Sequence, residues 1–270
     1  MTRATRFSAL PSLRAWLVVL LAAWSLLPLV LLVVISVSGG WRFPSLLGAD
    51  PGLDAWRSLR QSTGRLLPAL YTSLGLGVGT GGLAAVLGLP IGRALSDLRG
   101  VWRFVGAGCA FLPVAAPPLA LGVGLQYSFL RAGLGGSAVG VTLAHLIPAL
   151  GYTSLFFLGV FAVFDRGVEA EARRLGAGGW QTLTRVTLPL LRRPLAEAFV
   201  LGFLVSWAQV PLTLLVGQGR VRTLTVEVLS WVQAGQDPLA AAGATLLVIP
   251  PLLLMGAAAL GFQRAQVVAP

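Results

Sequence analysis

Residues 15–37 have the sequence AWLVVLLAAWSLLPLVLLVVISV, a run of 23 residues without a charged side chain. As an α-helix rising about 1.5 Å per residue, the run would be about 34 Å long, enough to cross the hydrocarbon core of a bilayer. Arg3, Arg6 and Arg14 precede it, as in a signal peptide, but the run is too long for a signal and no A-x-A cleavage site follows it. The stretch therefore predicts a membrane-spanning helix.

Similar uncharged runs recur along the rest of the chain and predict an all-α, polytopic membrane bundle of about six transmembrane helices. The predicted spans are about 15–37, 66–92, 104–130, 138–164, 197–217 and 239–262. We expect residues 15–264 to form a single transmembrane domain. The segments 1–14 and 265–270 flank it, and a charged loop, 165–194, separates the fourth span from the fifth.

The overall composition excludes a water-soluble fold. Hydrophobic residues make up 56% of the chain and charged residues only 11%, whereas soluble domains carry about 25% charged residues. The net charge of +11 comes from arginines placed between the apolar runs, with no dense basic segment that could follow a phosphate backbone. The charge therefore indicates membrane topology and not nucleic-acid binding.

Several kinds of chemistry are excluded by residues that are rare or missing. All twenty basic residues are arginine, so the chain has neither the lysine of a GxxxxGK[ST] phosphate loop nor a Schiff-base amine. Cys109 is the lone cysteine and His145 the lone histidine, which leaves no disulfide and no His or Cys metal cluster. We expect no catalytic residues, no metal site and no bound cofactor in this chain.

The arginines predict which side of the membrane each loop faces. An even number of spans places both termini on one side, and the side that carries more arginine is cytoplasmic by the positive-inside rule. With a cytoplasmic N-terminus, thirteen arginines lie inside and seven outside, the outer ones being Arg42, Arg57, Arg60, Arg65, Arg131, Arg220 and Arg222. We therefore predict cytoplasmic termini and a cytoplasmic 165–194 loop, in a multi-pass protein of the bacterial inner membrane.

Glycine and proline are abundant inside the predicted spans. Small residues such as Gly77 and Gly81 in the second span let helix backbones approach closely. Prolines break or kink helices, and in membrane bundles such breaks often line a pathway. The prolines within spans are Pro113, Pro117, Pro118, Pro148, Pro211, Pro250 and Pro251. Together they favour a transporter over a passive anchor.

The 165–194 loop combines charges with scattered apolar residues, among them Leu175 and Trp180. Two short amphipathic helices, hinged at Gly176–Gly179, fit this pattern. A loop with such charge density cannot be buried in lipid, so its apolar side needs a protein partner.

The loop resembles the signature of the membrane subunits of binding-protein-dependent ABC importers, of the polyamine, iron and thiamine type. That signature is Glu-Ala-Ala (EAA), then a glycine, then I-x-L-P. Gly176 and Val186-Thr-Leu-Pro189 keep the family's spacing, whereas the Glu-Ala-Ala positions hold Ala170-Glu-Ala172, with Glu169 just before them. Trp41-x-Phe-Pro44 and Thr223-Leu-Thr-Val226 look similar as well.

The resemblance implies a permease subunit that forms half of a translocation pathway and couples to a separate ATPase through this loop. It implies as partners ABC ATPase subunits holding ATP and Mg, a second permease that is a copy or a different chain, a periplasmic or extracellular substrate-binding protein, and the lipid bilayer. The positions that would couple to the ATPase are Glu169, Ala170, Glu171, Ala172, Leu175, Gly176, Ala177, Val186, Leu188 and Pro189.

Five residues within the spans are candidates to line the pathway. They are His145, Ser206, Trp207, Gln209 and Thr213. An ionisable group inside a span is a functional candidate by default, but a neutral histidine that bonds to a neighbouring helix is the commoner arrangement, and both interpretations stay open.

Two other functions compete with the permease. An ion-gradient-driven secondary transporter would also use broken helices, but all nine acidic residues lie in predicted loops or at span ends, so no buried proton or sodium site is evident. A membrane enzyme would have little to catalyse with, since the spans hold one histidine, one cysteine and no buried acid.

Overall fold

The computed structural model describes residues 13–39 and 50–266, and this part of the chain is almost entirely helical. The helices are α1 Leu13–Ser36, α2 Asp54–Gln61, α3 Thr63–Asp97, α4 Gly100–Ala115, α5 Pro118–Arg131, α6 Ala138–Val163, α7 Gly167–Arg174, α8 Gly179–Thr182, α9 Leu188–Leu190, α10 Arg192–Trp207, α11 Pro211–Gly217, α12 Leu224–Gln233 and α13 Asp237–Gln266. A wide π-helical turn, Leu183–Thr187, joins α8 to α9. Strand β1, Ser38–Gly39, pairs antiparallel with β2, Asp50–Pro51.

Four helices are long and apolar enough to cross a membrane, and two bent helix pairs raise the number to six if each pair is one span. The four lie in α1, α3, α6 and α13, and the bent pairs are α4 with α5 and α10 with α11. The predicted all-α membrane bundle is confirmed. The Trp41–Pro44 segment lies outside the described residues.

The third and fifth predicted spans, 104–130 and 197–217, are each broken into two helices, with prolines of the span at or next to the break. The chain bends by 94° between α4 and α5 and by 67° between α10 and α11. At the first bend Ala116 and Pro117 have extended backbones, with ψ of 133° and 127°. A residue that precedes a proline disfavours the helical conformation, so Pro117 and Pro118 together end α4. At the second bend, Pro211 is the first residue of α11, and Val210 before it keeps a helical backbone, with ψ of −52°.

Helix α3 is longer than its apolar run. Its 35 residues extend from Thr63 to Asp97, about 52 Å of helix against a hydrocarbon core of about 30 Å. The predicted second span ended at residue 92, so the last turn of α3 projects beyond the apolar run and carries Arg93, Ser96 and Asp97. These polar side chains reach the 165–194 loop.

The described helices form two compact units. The first contains α1, the β-ribbon, α2 and residues Trp231–Leu246. Within it, α1 exposes its apolar side chains from Ala15 to Leu31, and Trp24, for example, is 76% exposed. A helix of this kind is stable only in lipid or against a partner, because water does not tolerate so large an apolar surface.

The second unit comprises Thr63–Ser230 and the chain from Leu247 onward, with α3, α6 and α10 packed together at its centre. Glycines let α3 and α10 approach closely: a Cβ added to Gly202 would lie 3.0 Å from the Cα of Gly81. Below the loop, Phe157, Phe161 and Leu191 are buried in one apolar cluster with residues of α3 and α10. This cluster fixes the end of the loop to the helices beneath it.

Candidate functional site: the 165–194 loop and the break in the fifth span

Gly176 ends the first helix of the loop. Its φ of +92° lies in the left-handed region, and an added Cβ would meet nothing within 4 Å. Gly176 N–H donates to the C=O of Arg173, and Ala177 N–H donates to the C=O of Ala172, both at 3.0 Å. This is the Schellman arrangement that closes helix C-termini, so the backbone and not the available space requires glycine here. The predicted pair of short helices with a glycine turn is present.

Glu169 lies inside the loop and not on its surface. Its side chain is only 3% exposed. Arg93 Nη1 donates to Oε1 at 2.9 Å and Arg93 Nη2 donates to Oε2 at 2.6 Å. The Thr187 hydroxyl donates to Oε1 at 2.5 Å, and Arg173 lies 3.7 Å from Oε2. The carboxylate thus joins α7 to the end of α3 and to the π turn.

The electrostatics of this cluster keep Glu169 ionised. Hydrogen bonds from Arg93 lower the pKa of Glu169 below its ordinary value, and the Thr187 hydroxyl and the charge of Arg173 act in the same direction. Burial opposes this shift but does not cancel it. The guanidinium of Arg93 also lies 5.6 Å from the ring centroid of Phe161, which favours the cation at this position.

The other predicted coupling residues are more accessible than Glu169. Leu175 is 85% exposed, and Trp180, four residues beyond Gly176, is 75% exposed. Exposed as well are Ala170, Glu171, Gly176 and Pro189, and half-buried are Ala172, Ala177, Val186 and Leu188. The loop therefore exposes two large apolar side chains, Leu175 and Trp180, and buries one carboxylate, that of Glu169.

A second ion pair crosses the same junction between α3 and the start of α7. Arg166 pairs with Asp97 and donates from Nη2 to the Ser96 hydroxyl at 2.6 Å. The side chains of Arg166 and Asp97 are 42% and 50% exposed. Exposed pairs contribute little to stability, since water competes for both partners. The junction thus has one buried pair and one exposed pair.

Sequence reasoning did not find Arg93, Ser96 or Asp97 as partners of the loop. The signal that could have found Arg93 is its position directly after the apolar run that ends at residue 92, where a continuing helix keeps it near the membrane surface. Thr187 was noted only for the spacing of the signature.

The break in the fifth span brings together three of the candidate pathway residues. His145 of α6 is fully buried, and its Nδ1 lies 2.9 Å from the Ser206 hydroxyl while its Nε2 lies 3.0 Å from the Thr213 hydroxyl. Thr213 in turn donates to the C=O of Gln209 at 2.8 Å. The imidazole therefore links α6 to the helices on both sides of the break.

The hydrogen bonds at the break fit a neutral histidine. The Thr213 hydroxyl donates its hydrogen to the C=O of Gln209, so toward His145 the Thr213 oxygen can only accept. His145 Nε2 therefore carries the ring hydrogen and donates it to Thr213. Nδ1 then accepts from the Ser206 hydroxyl. Each ring nitrogen has one partner, so no charge is needed in an apolar environment.

Trp207 and Thr225 satisfy carbonyls that prolines leave without a helical donor. Pro251 has no N–H for the C=O of Leu247, which instead accepts from the Trp207 indole at 3.0 Å. Pro211 likewise leaves the C=O of Trp207 free, and the Thr225 hydroxyl donates to it at 3.0 Å. Side chains of neighbouring helices thus bond to the carbonyls that prolines leave free, as expected in a membrane bundle.

The side chains of His145, Ser206 and Thr213 bond to one another, whereas the Trp207 indole bonds to Leu247 of α13. His145, Ser206, Trp207 and Thr213 are all buried, and Gln209 is half-buried and contributes its backbone carbonyl. Their role in lining a pathway stays a prediction. Among the described residues, no three His, Cys, Asp or Glu side chains are grouped so that they could hold a metal ion.

Residues 84–266 match the family described as binding-protein-dependent transport system inner membrane component. The chain is 32% identical over 215 residues to the molybdenum transport system permease protein ModB of Mycobacterium tuberculosis, an alignment that covers 71% of this chain and 80% of that protein. It is 24% identical over 243 residues to the spermidine/putrescine transport system permease protein PotC of Escherichia coli, covering 90% and 91%.

The fold also matches a chain in the crystal structure of a bacterial ABC transporter involved in the import of the acidic polysaccharide alginate. The TM-score is 0.63 at 17% identity, and the match covers 90% of this chain and 93% of that one. This chain therefore has the same fold as that transporter chain.

The chain belongs to the binding-protein-dependent transport system inner membrane components and is a permease subunit of an ABC importer. Membership confirms the resemblance seen in the sequence and the expected partners, which are a substrate-binding protein, ATPase subunits and a second permease. It decides against the alternative of an ion-gradient-driven secondary transporter.

Proposed function

We propose that the 165–194 loop is the element through which a separate ATPase drives this permease. The observation that carries the proposal is the exposure of Leu175 and Trp180 on a loop that is otherwise charged. Large apolar side chains on a charged surface element mark a protein interface, since neither water nor lipid suits both kinds of group.

The parts of the loop would have different roles. Leu175 would insert into a groove of the ATPase, with Ala177, half-buried beside it, lining the contact. Gly176 would give the backbone turn that presents Leu175. Glu171, which is exposed on α7, would be the carboxylate available to a cationic residue of the ATPase.

ATP would be bound and hydrolysed entirely by the partner. The chain has no lysine for a phosphate-binding loop, and the ATP and Mg would belong to the ATPase subunits. Closure of the ATPase pair would move the loop as a rigid body and pass the motion to the spans of two permeases, each forming half of the pathway. This arrangement requires a cytoplasmic loop and cytoplasmic termini, which the arginine distribution favours.

The cargo would be selected by the separate binding protein. Relatives of this chain are named for spermidine and putrescine, which are cations, whereas a structural neighbour imports an acidic polysaccharide. Cargo of opposite charge is thus moved by one fold. The bonded, neutral cluster around His145 offers no charge that would favour either kind.

Replacing Gly176 with valine tests the proposal. Valine disfavours the left-handed conformation, so the turn should distort and Leu175 should be displaced. We expect the variant to insert normally, to lose copurification with the ATPase and to lose stimulation of ATP hydrolysis. The matched control is Gly178→Ala, because Gly178 has a φ of −67° and also has open space for a Cβ. Normal ATPase binding by Gly176→Val, with the control also normal, would overturn the proposal.

A further inference from the structure

Glu169 is the only residue of α7 that is buried. The rest of the helix is exposed or half-buried, so α7 has almost no apolar packing to hold it against the membrane helices. The chain leaves α7 through the glycine turn at residue 176. The contacts of one carboxylate are therefore the main buried side-chain contacts that hold α7 against the bundle.

These contacts lead to two different elements. Arg93 belongs to the projecting turn of α3, and Thr187 belongs to the π turn that leads into α9 and α10. A planar guanidinium that meets a carboxylate with two parallel hydrogen bonds fixes orientation as well as distance. Glu169 thereby ties α7 to two of the three helices at the centre of the second unit, α3 directly and α10 through the loop.

The geometry also excludes a direct role for this carboxylate at the surface of the loop. Both of its oxygens are occupied by Arg93, and Thr187 takes a further lone pair of Oε1. With 3% of the side chain exposed, an ATPase residue could reach it only after its bonds to Arg93 had broken, which would leave a buried carboxylate without its cation.

We propose that Glu169 and Arg93 form a latch through which motion of α7 is passed to α3, so that Glu169 is a positioning residue and not a contact of the ATPase. This inference rests on the proposed function of the loop and adds to it the route by which the loop moves the bundle. The latch comprises Arg93, Glu169 and Thr187.

The test uses the importer copurified with its ATPase subunits, in wild type, Arg93→Ala, Glu169→Ala, the double variant and the charge swap Arg93→Glu with Glu169→Arg. Two quantities are measured: the amount of ATPase retained, and the change in amide hydrogen exchange of residues 90–97 when the ATPase is trapped with ADP and vanadate. A purely structural role would not alter the second quantity while the first stays normal.

We expect each single variant to retain the ATPase but to lose the nucleotide-dependent change in α3. The nucleotide-dependent change should be no smaller in the double variant than in either single variant, since the two residues act as one unit. The charge swap should restore this change at least in part. If the single variants also lose the ATPase, recovery in the swap supports the latch, because the pair then positions α7 for docking.

The neighbouring exposed pair supplies the matched control. Asp97→Asn removes an ion pair that crosses the same junction, but its partner Arg166 stays in water. The nucleotide-dependent change in amide exchange of residues 90–97 should be the same in Asp97→Asn as in the wild type.

Three results would overturn the proposal. The first is loss of the ATPase in Glu169→Ala but not in Arg93→Ala, because Glu169 would then contact the ATPase itself. The second is a wild-type response of α3 in both single variants. The third is loss of the response in the single variants without any recovery in the swap. Failure of the loop's coupling role is distinguishable, because the ATPase would then also bind normally to Gly176→Val.

Discussion

Two polar clusters join helices of the second unit, and they do so with different chemistry. The latch at the end of α3 uses an ionised pair, Arg93 and Glu169, with the arginine 28% exposed. The cluster at the break of the fifth span uses neutral groups, His145, Ser206 and Thr213, all fully or almost fully buried. Each cluster joins helices that are far apart in the sequence.

The difference follows from access to water. At the latch, solvent reaches one partner, so the cost of burying two charges is partly avoided and the pair gives direction as well as attraction. Deep between helices an unpaired charge would cost several kcal/mol, and a chain of neutral donors and acceptors binds the helices without that cost. We expect substitutions to show that the two chemistries cannot be exchanged.

The largest effect should follow from placing a charge at the neutral cluster. In His145→Glu an ionised carboxylate would face two hydroxyls and no cation, at a cost of about 3 kcal/mol or more. We expect the variant to be lost as a monodisperse, folded protein, as measured by size-exclusion chromatography in detergent. His145→Gln is the control, because its amide keeps one donor and one acceptor and should preserve most of the folded protein. Equal yields of the Glu variant and the wild type would contradict a neutral cluster.

A smaller effect should follow from removing one donor at a proline-freed carbonyl. Trp207→Phe keeps the ring that stacks on Phe203 but leaves the C=O of Leu247 without its indole partner. We expect a loss of about 1–2 kcal/mol, seen as a fall of the apparent melting temperature by several degrees. The same substitution at Trp24, which is exposed on α1, should leave the apparent melting temperature unchanged. An unchanged melting temperature for Trp207→Phe would show that the hydrogen bond is not needed.

The smallest effect concerns pH at the latch. Because the pKa of Glu169 is lowered in the folded protein, its stabilisation is complete above the ordinary glutamate pKa of about 4.3 and is lost only as the pH falls through the lowered value. Amide protection of residues 167–174, corrected for intrinsic exchange, should therefore stay constant between about pH 8 and about pH 5. Loss of protection near neutral pH would contradict an ionised, paired Glu169.

The features that could be predicted from the sequence are local ones. The six apolar runs, the charged loop and the turn at Gly176 each depend on residues close together in the chain. The start of α6 at Ala138 agrees with the predicted span because Ser137 caps the helix, accepting from the N–H of Gly140 at 2.9 Å. Prolines indicated where spans could break, but the angles of 94° and 67° depend on the neighbouring helices.

The features that were missed are long-range. The pairing of Glu169 with Arg93 joins residues 76 positions apart, and it depends on α3 continuing beyond its apolar run, which hydropathy does not report. The five pathway candidates were chosen for polarity within a span. The packing of α6 on α10 and α11 decides whether the His145 side chain faces an opening or bonds to Ser206 and Thr213. No pattern within a single span records that packing.

The central claim, that the loop meets an ATPase, is tested most directly by crosslinking at Leu175. Cys109 is the lone cysteine, so Cys109→Ser gives a background in which Leu175→Cys can carry a benzophenone maleimide. In the assembled importer we expect illumination to give a covalent adduct with the ATPase subunit. The control label at Val139→Cys should give no adduct, because Val139 is exposed at the start of α6, the end of that helix away from the 165–194 loop. Labelling of residue 175 from outside intact cells by a membrane-impermeant maleimide, without an ATPase adduct, would contradict the claim.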